Sequence, residues 1–205
     1  SQQLYLGEDL PVMLLLIAFC VLLLVVGFIR NGSSFQGYDR LLKESGRIAS
    51  DFILQHDAPL VLINMGLCGL ISIAYVIISQ GVFNGPVLGG FFTIIGFAAF
   101  GKHPRNIIPV LAGILIANHF GVHQISSTGA ILSGLFGTCL APIAGYYGWA
   151  LGLVAGVFHA AMVNNVGFLH GGLNLYNNGF SGGFVAAVLA PIFDLLTHRL
   201  PNDPK

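Results

Sequence analysis

Residues 10–29 read LPVMLLLIAFCVLLLVVGFI, twenty uncharged residues of which seven are Leu. In a helix this is about the length that crosses a ~30 Å hydrocarbon core. Glu8 and Asp9 precede it where a signal peptide carries basic residues, and no small-residue cleavage site follows. The stretch therefore reads as a lipid-facing spanning helix. Charge placement extends the argument along the chain: from Ala58 to Phe193 the only full charges are Lys102 and Arg105. Of the 205 residues, 8% are charged, against about 25% in a soluble domain. Mean hydropathy is +0.83. Too little charge is present to solvate a globular exterior, and the chain reads as an integral membrane protein.

Net charge is zero and there is no basic stripe, which argues against a nucleic-acid partner. Cys20, Cys68 and Cys139 lie scattered in apolar segments, so neither a disulfide framework nor a zinc knuckle can be read. Residues 30–57 hold half of the charges, and Arg30, Arg40, Lys43 and Arg47 are basic while no Lys or Arg precedes residue 10. The positive-inside rule then places this loop in the cytoplasm and the N-terminus outside, with the multi-pass chain in a cell inner membrane. Tyr38, Leu41, Leu42, Ile48, Phe52 and Ile53 recur at helical spacing, which predicts an amphipathic helix on the inner membrane surface. The Asn31-Gly32-Ser33 sequon then lies on the wrong side for glycosylation.

Beyond a second span at 58–80 the character changes: 21 of the 28 glycines fall between Gly81 and Gly183. Gly148, Gly152 and Gly156, four apart, form the small-xxx-small pattern by which membrane helices pack closely. Segments 86–101 and 106–120 are too short to span alone, 126–140 and 180–197 look similar, and 142–166 is longer. Pro104, Pro109, Pro142 and Pro191 interrupt or flank them. Short Gly/Pro-interrupted segments point to broken or re-entrant helices around a transport site. The expected fold is all-α, a polytopic Gly-rich bundle with such helices. It divides into an N-terminal helix (1–29), the loop (30–57), the bundle (58–197) and a cytoplasmic tail (198–205).

Two stretches match each other: Phe83-Asn84-Gly85-Pro86-Val87-Leu88-Gly89-Gly90-Phe91 and Tyr176-Asn177-Asn178-Gly179-Phe180-Ser181-Gly182-Gly183-Phe184. The shared pattern, aromatic-Asn-x4-Gly-Gly-Phe, suggests an internal repeat with units at about 58–105 and 148–197. Asn at the mouth of a short helix can cap it, and two half-helix N-termini would direct unpaired N–H groups into a cavity. The polar residues His159, Asn164, Asn165, His170, Asn174, Asn177 and Asn178, with Gly182 and Gly183, could line a solute path with Asn84, Gly85, Gly89 and Gly90. A plain connecting loop over 167–178 explains several of them equally well. Ser126, Ser127 and Thr128 open another short helix and could cap it or touch solute. His119 and His123 read as a wet interfacial loop rather than a metal pair.

The run HGGLNLYNNGFSGGFVAAVLAPIFD (170–194), with GKHPRNIIPVLAGILIANHFG (101–121) upstream, resembles an uncharacterised bacterial multi-pass membrane family, the domain-of-unknown-function family numbered 1576. The resemblance covers most of the chain and implies no activity. It implies longer members, so the chain is expected to be a C-terminal portion or a split half. More loosely, Asn84-Gly85-Pro86 followed by Gly89 is similar to the short-helix turns of urea channels, although no acidic residue lies in 58–193.

No His-Glu-x-x-His motif exists, and no catalytic residue, metal site or cofactor is read from the chain. The expected function is a transporter or channel for a small neutral polar or anionic solute. The alternatives are an intramembrane enzyme using His159 or His170 on a lipid-linked substrate, and a non-transporting scaffold. Gly-rich faces suggest a homo-oligomer, or association with a missing N-terminal half.

Overall fold

The computed structural model describes residues 9–47, 51–121, 124–170 and 174–197, and among these every regular element is helical. The helices are α1 (Asp9–Arg30), α2 (Tyr38–Leu41), α3 (Phe52–His56), α4 (Ala58–Ile78), α5 (Gly85–Phe97), α6 (Pro104–Phe120), α7 (Thr128–Gly137), α8 (Ala141–Tyr147), α9 (Trp149–Asn165) and α10 (Asn174–Thr197). Four stretches are long and apolar enough to cross a membrane: α1, α4, the continuous run Thr128–Tyr147, and Leu175–Thr197. The chain is a polytopic membrane-helical bundle.

Helix α1 lies on α4 with one face, burying Leu16, Cys20 and Gly27, while Leu10, Leu15, Leu22 and Ile29 stay exposed. The approach is close because glycine permits it: a Cβ at Gly66 of α4 would sit 2.7 Å from the Cys20 carbonyl oxygen. Helices α6 and α9 are joined in the same way, Gly113 against Leu153 and Gly156 against the Val110 carbonyl. Gly152 meets Ala144 and Pro109 in the same seam. Gly148 does not pack: at φ +98° it makes the turn between α8 and α9, so the expected long segment 142–166 is two helices.

One end of the bundle gathers the starts of α1, α5 and α7. Asn84 caps α5 by accepting from Val87 N–H (3.1 Å), and its amide donates to Thr128 Oγ1 (2.9 Å). Ser127 caps α7 by accepting from Ala130 N–H, and Phe83 N–H donates to Asp9 Oδ1 (2.7 Å). Pro86 at the start of α5 fits a first turn that needs no N–H there.

The other end is organised around the shortness of α5. Thirteen residues rise only about 20 Å, so the 98–103 turn into α6 is buried in the protein. Its carbonyls at Ala98, Ala99, Gly101 and Lys102 all find partners. Asn64 Nδ2 on α4 donates to Ala98 O and Lys102 O (2.7 Å each), Phe52 N–H to Ala99 O (3.0 Å), and Asn106 Nδ2 to Gly101 O (2.8 Å). Tyr38 OH holds Asn64 from behind (2.9 Å), and His103 Nε2 pairs with Glu44 O (2.8 Å). Irregular backbone in a bilayer protein is stable when protein satisfies it in this way.

The 31–57 segment supplies that cover, and here the structure differs from the sequence reading. In place of one interfacial helix there are two short ones, α2 and α3, with Gly37 and Gly46 at positive φ interrupting the run. Leu41 and Phe52 are fully buried in protein rather than lying on lipid, while Ile53 is exposed; Ile48 falls outside the described residues.

Candidate functional site

The polar interior centres on α7 and its continuation. Thr138, the residue that follows α7, donates its hydroxyl to Leu135 O (2.6 Å) and accepts a hydrogen bond from Lys102 Nζ (2.8 Å). The Lys102 ammonium also lies 5.1 Å from the centre of the Phe97 ring. Lys102 is 9% exposed, and no carboxylate among the described residues lies within ion-pair distance of it. A desolvated charge without a counter-ion is costly. Lys102 belongs to the α5–α6 turn, outside the spanning helices, and burial pulls its pKa down from 10.5 to about 8.

Lys102 faces a cavity of about 320 Å³, within the range of small-molecule sites. Arg47 shares it, its guanidinium 4.6 Å above the Tyr146 ring and likewise without a carboxylate partner among the described residues. Asn178 and Gly179 of α10 line the opposite side. Phe97, Phe100, Phe136, Pro142 and Leu175 make the walls apolar. Two cations, one amide, the Thr93 hydroxyl and the Cys139 thiol, with no carboxylate among the described residues, define the chemistry of this space.

Asn178 also links the cavity wall to His159. Its Oδ1 is 3.0 Å from His159 Nε2. Nδ1 of the same ring is fully buried and makes no hydrogen bond of good geometry. Ser181 Oγ, three residues along the same face of α10, is likewise buried and unpartnered. Further along α7, Asn118 of α6 donates to Ala130 O and Ser133 Oγ (3.2 Å each), with its own Oδ1 unsatisfied. Unmet polar atoms thus follow α7 from the cavity toward the end where Asn84 meets Thr128.

The residues singled out from the sequence separate on this map. His159 and Asn178 come together, and Gly182 packs against Cys139 beside them. Asn177 is buried on α10 but does not line the cavity. Asn84, Ser127 and Thr128 are joined at the far end, with Ser126 half-buried next to them. Gly85 begins α5, Gly90 packs on Leu135, and Gly89 and Gly183 face open space. Asn164 and Asn165 are exposed at the end of α9, where Asn165 bonds back to Ala161 O. His170 and Asn174 lie in described helical backbone, their side chains outside the described set, and His123 lies outside it altogether.

The two copies of the motif are not equivalent. The first opens α5, but the second lies inside α10, which begins at Asn174 and runs through Asn177, Gly182 and Gly183 without a break. Only one of the two expected half-helix turns is therefore a turn. The physical difference is Pro86, which suits the first turn of a helix; the second copy has Phe180-Ser181 after its Gly and nothing to stop a helix begun upstream. Sequence reading overlooked Arg47, Asn64, Asn106, Asn118 and Thr138. The available signal was Lys102, one of two full charges in 136 residues, which reads as an ordinary basic turn until its burial is known.

No curated protein and no solved structure matches the chain. The family described as Protein of unknown function (DUF1576) matches residues 30–195, which include both halves of the cavity. The chain belongs to that family.

Proposed function

We propose that this membrane protein transports a small anionic solute. The observation that carries the reading is the Lys102 ammonium, buried at the head of a cavity that it shares with Arg47 and into which no carboxylate of the described residues projects. Such a charge is stabilised when an anion arrives, and an anion is the solute class for which fixed cations and neutral donors form a binding site. Between the two solute classes that the sequence allowed, the neutral polar one gives no reason for the lysine.

The route in this proposal follows α7 from the cavity, past His159 and Ser181, to Asn118 and the Asn84–Thr128 pair. It replaces a pathway framed by two symmetric turns. We place the 31–57 cover and the cavity mouth on the cytoplasmic side of a cell inner membrane, because that segment holds Arg30, Arg40, Lys43 and Arg47. Self-association, or association with a further segment of the protein, belongs to the same proposal.

The test is flux into proteoliposomes of chloride, nitrate, acetate and phosphate, with potassium and urea as cationic and neutral comparisons. The expected result is passage of at least one anion above protein-free vesicles, reduced about tenfold or more by Lys102→Gln. Passage of urea or potassium alone, or anion flux indifferent to Lys102→Gln in folded protein, overturns the proposal.

A further inference from the structure

The cavity is open on one side, and its opening has a chemical character of its own. Phe97, Phe100 and Leu175 stand at that side 53%, 48% and 62% exposed. Phe97 and Phe100 continue into a second, shallow apolar trough along α5 with Phe92 and Gly96. On the α10 side a Cβ at Gly179 would meet nothing within 4 Å. The opening therefore leads sideways between α5 and α10, along surfaces that a bilayer would wet with acyl chains. At its inner end stands one deeply buried cation, Lys102, whose ammonium has given a single hydrogen bond to Thr138. Arg47 is exposed at the rim.

A bare inorganic anion would use the cation and leave the aromatic walls against nothing. A neutral lipid would use the walls and leave Lys102 without a counter-charge. We infer that the site takes an amphiphilic carboxylate, a single-chain acid reached from the membrane, with its head group on Lys102 and its chain between Phe97, Phe100 and Leu175. This rests on the reading of the cavity as an anion site and narrows its substrate class. Arg47, exposed at the rim, is neutralised by solvent and counter-ions; the one buried ammonium is matched by one negative charge, so a carboxylate balances it, whereas a phosphate dianion would carry excess charge into apolar walls.

The experiment is titration calorimetry on the protein in phosphatidylcholine nanodiscs, corrected for empty nanodiscs, with decanoate, decanol, acetate and decyl phosphate. Decanoate is expected to bind at least about tenfold more tightly than each of the other three. Lys102→Met should abolish that preference over decanol. Gly179→Leu, which fills open space at the mouth and so keeps the fold, should weaken decanoate about tenfold or more. Lys43→Met, which removes a cation paired with Asp39 outside the cavity, should leave binding unchanged.

Acetate binding as well as decanoate, with both lost in Lys102→Met, overturns the amphiphile and leaves the anion reading standing. Decanol binding as well as decanoate overturns the role of the charge. Decyl phosphate binding more tightly than decanoate overturns the choice of carboxylate. Decanoate binding unaffected by Gly179→Leu places the chain elsewhere and overturns the site. If neither decanoate nor acetate binds, both readings fail.

Discussion

Replacing Lys102 by Met separates an anion site from a structural lysine. Met has nearly the length of the lysine stem and no charge. Holding the ammonium where burial has pulled its pKa from 10.5 to about 8 costs about 3 kcal/mol, at roughly 1.4 kcal/mol per tenfold displacement. Against this stands the hydrogen bond to Thr138, about 1.5–3 kcal/mol for a charged donor. The contact with Phe97 at 5.1 Å adds about 0.5–1 kcal/mol. Thr138 keeps its own bond to Leu135 O, so the substitution strands no donor. Lys102→Met should therefore lie within about 1 kcal/mol of the parent in stability at pH 7, while anion binding is lost.

The pH dependence follows with a definite sign. The folded-state pKa lies below the unfolded one, so the penalty is fully present below about 8 and is relieved as pH rises from there toward 10.5. The parent should gain stability relative to the variant across that interval. The titratable neighbours of the ammonium are the Cys68 and Cys139 thiols, and Arg47 shares the cavity. The assay is denaturation in a mild detergent at pH 7 and at stepped pH up to 10.5. A variant destabilised by more than about 2 kcal/mol, or a parent that loses stability relative to the variant as pH rises, would mean that Lys102 is held by a partner of the fold and is not awaiting a ligand.

Other perturbations probe the frame. Asn64→Leu leaves the Ala98 and Lys102 carbonyls without donors in a fully buried turn and should cost about 2–5 kcal/mol in detergent unfolding; a loss under 1 kcal/mol would show that water replaces the amide. Gly156→Ala pushes a methyl onto the Val110 carbonyl and should cost about 1–3 kcal/mol or more, whereas Gly183→Ala, facing open space, should be neutral or stabilising by up to about 1 kcal/mol. Equal effects at the two positions would contradict the α6–α9 seam. A double-mutant cycle with His159→Leu and Asn178→Leu should return a coupling of about 1 kcal/mol, and zero coupling would dissolve their hydrogen bond.

The membrane-helical class was legible because it follows from charge density and segment length, which no tertiary contact can change. The first helix, the caps Asn84 and Ser127, and the brevity of α5 were legible for a local reason: capping and helix length are set within a few residues. The site was less so. Lys102 and Arg47 are 55 positions apart and meet only because α5 stops short and the 31–57 segment folds in beneath it. Periodicity placed Tyr38, Leu41 and Phe52 on one face, and all three are buried, but against α4 and Ala99 rather than lipid; apolar periodicity reports that a face is covered, not by what. The repeated aromatic-Asn-x4-Gly-Gly-Phe pattern misled because the same residues cap a helix when a proline follows and continue one when it does not.

The central claim is that the Lys102 ammonium is the resting place of an anion inside a membrane-spanning bundle. Crystals of the protein grown in bromide, measured at the bromine absorption edge, report on it directly. The account predicts an anomalous peak within hydrogen-bonding distance of Lys102 Nζ in the cavity, absent from Lys102→Met crystals prepared alike. A cavity without bromide while the ion occupies other sites, or a peak that persists in Lys102→Met, would contradict it.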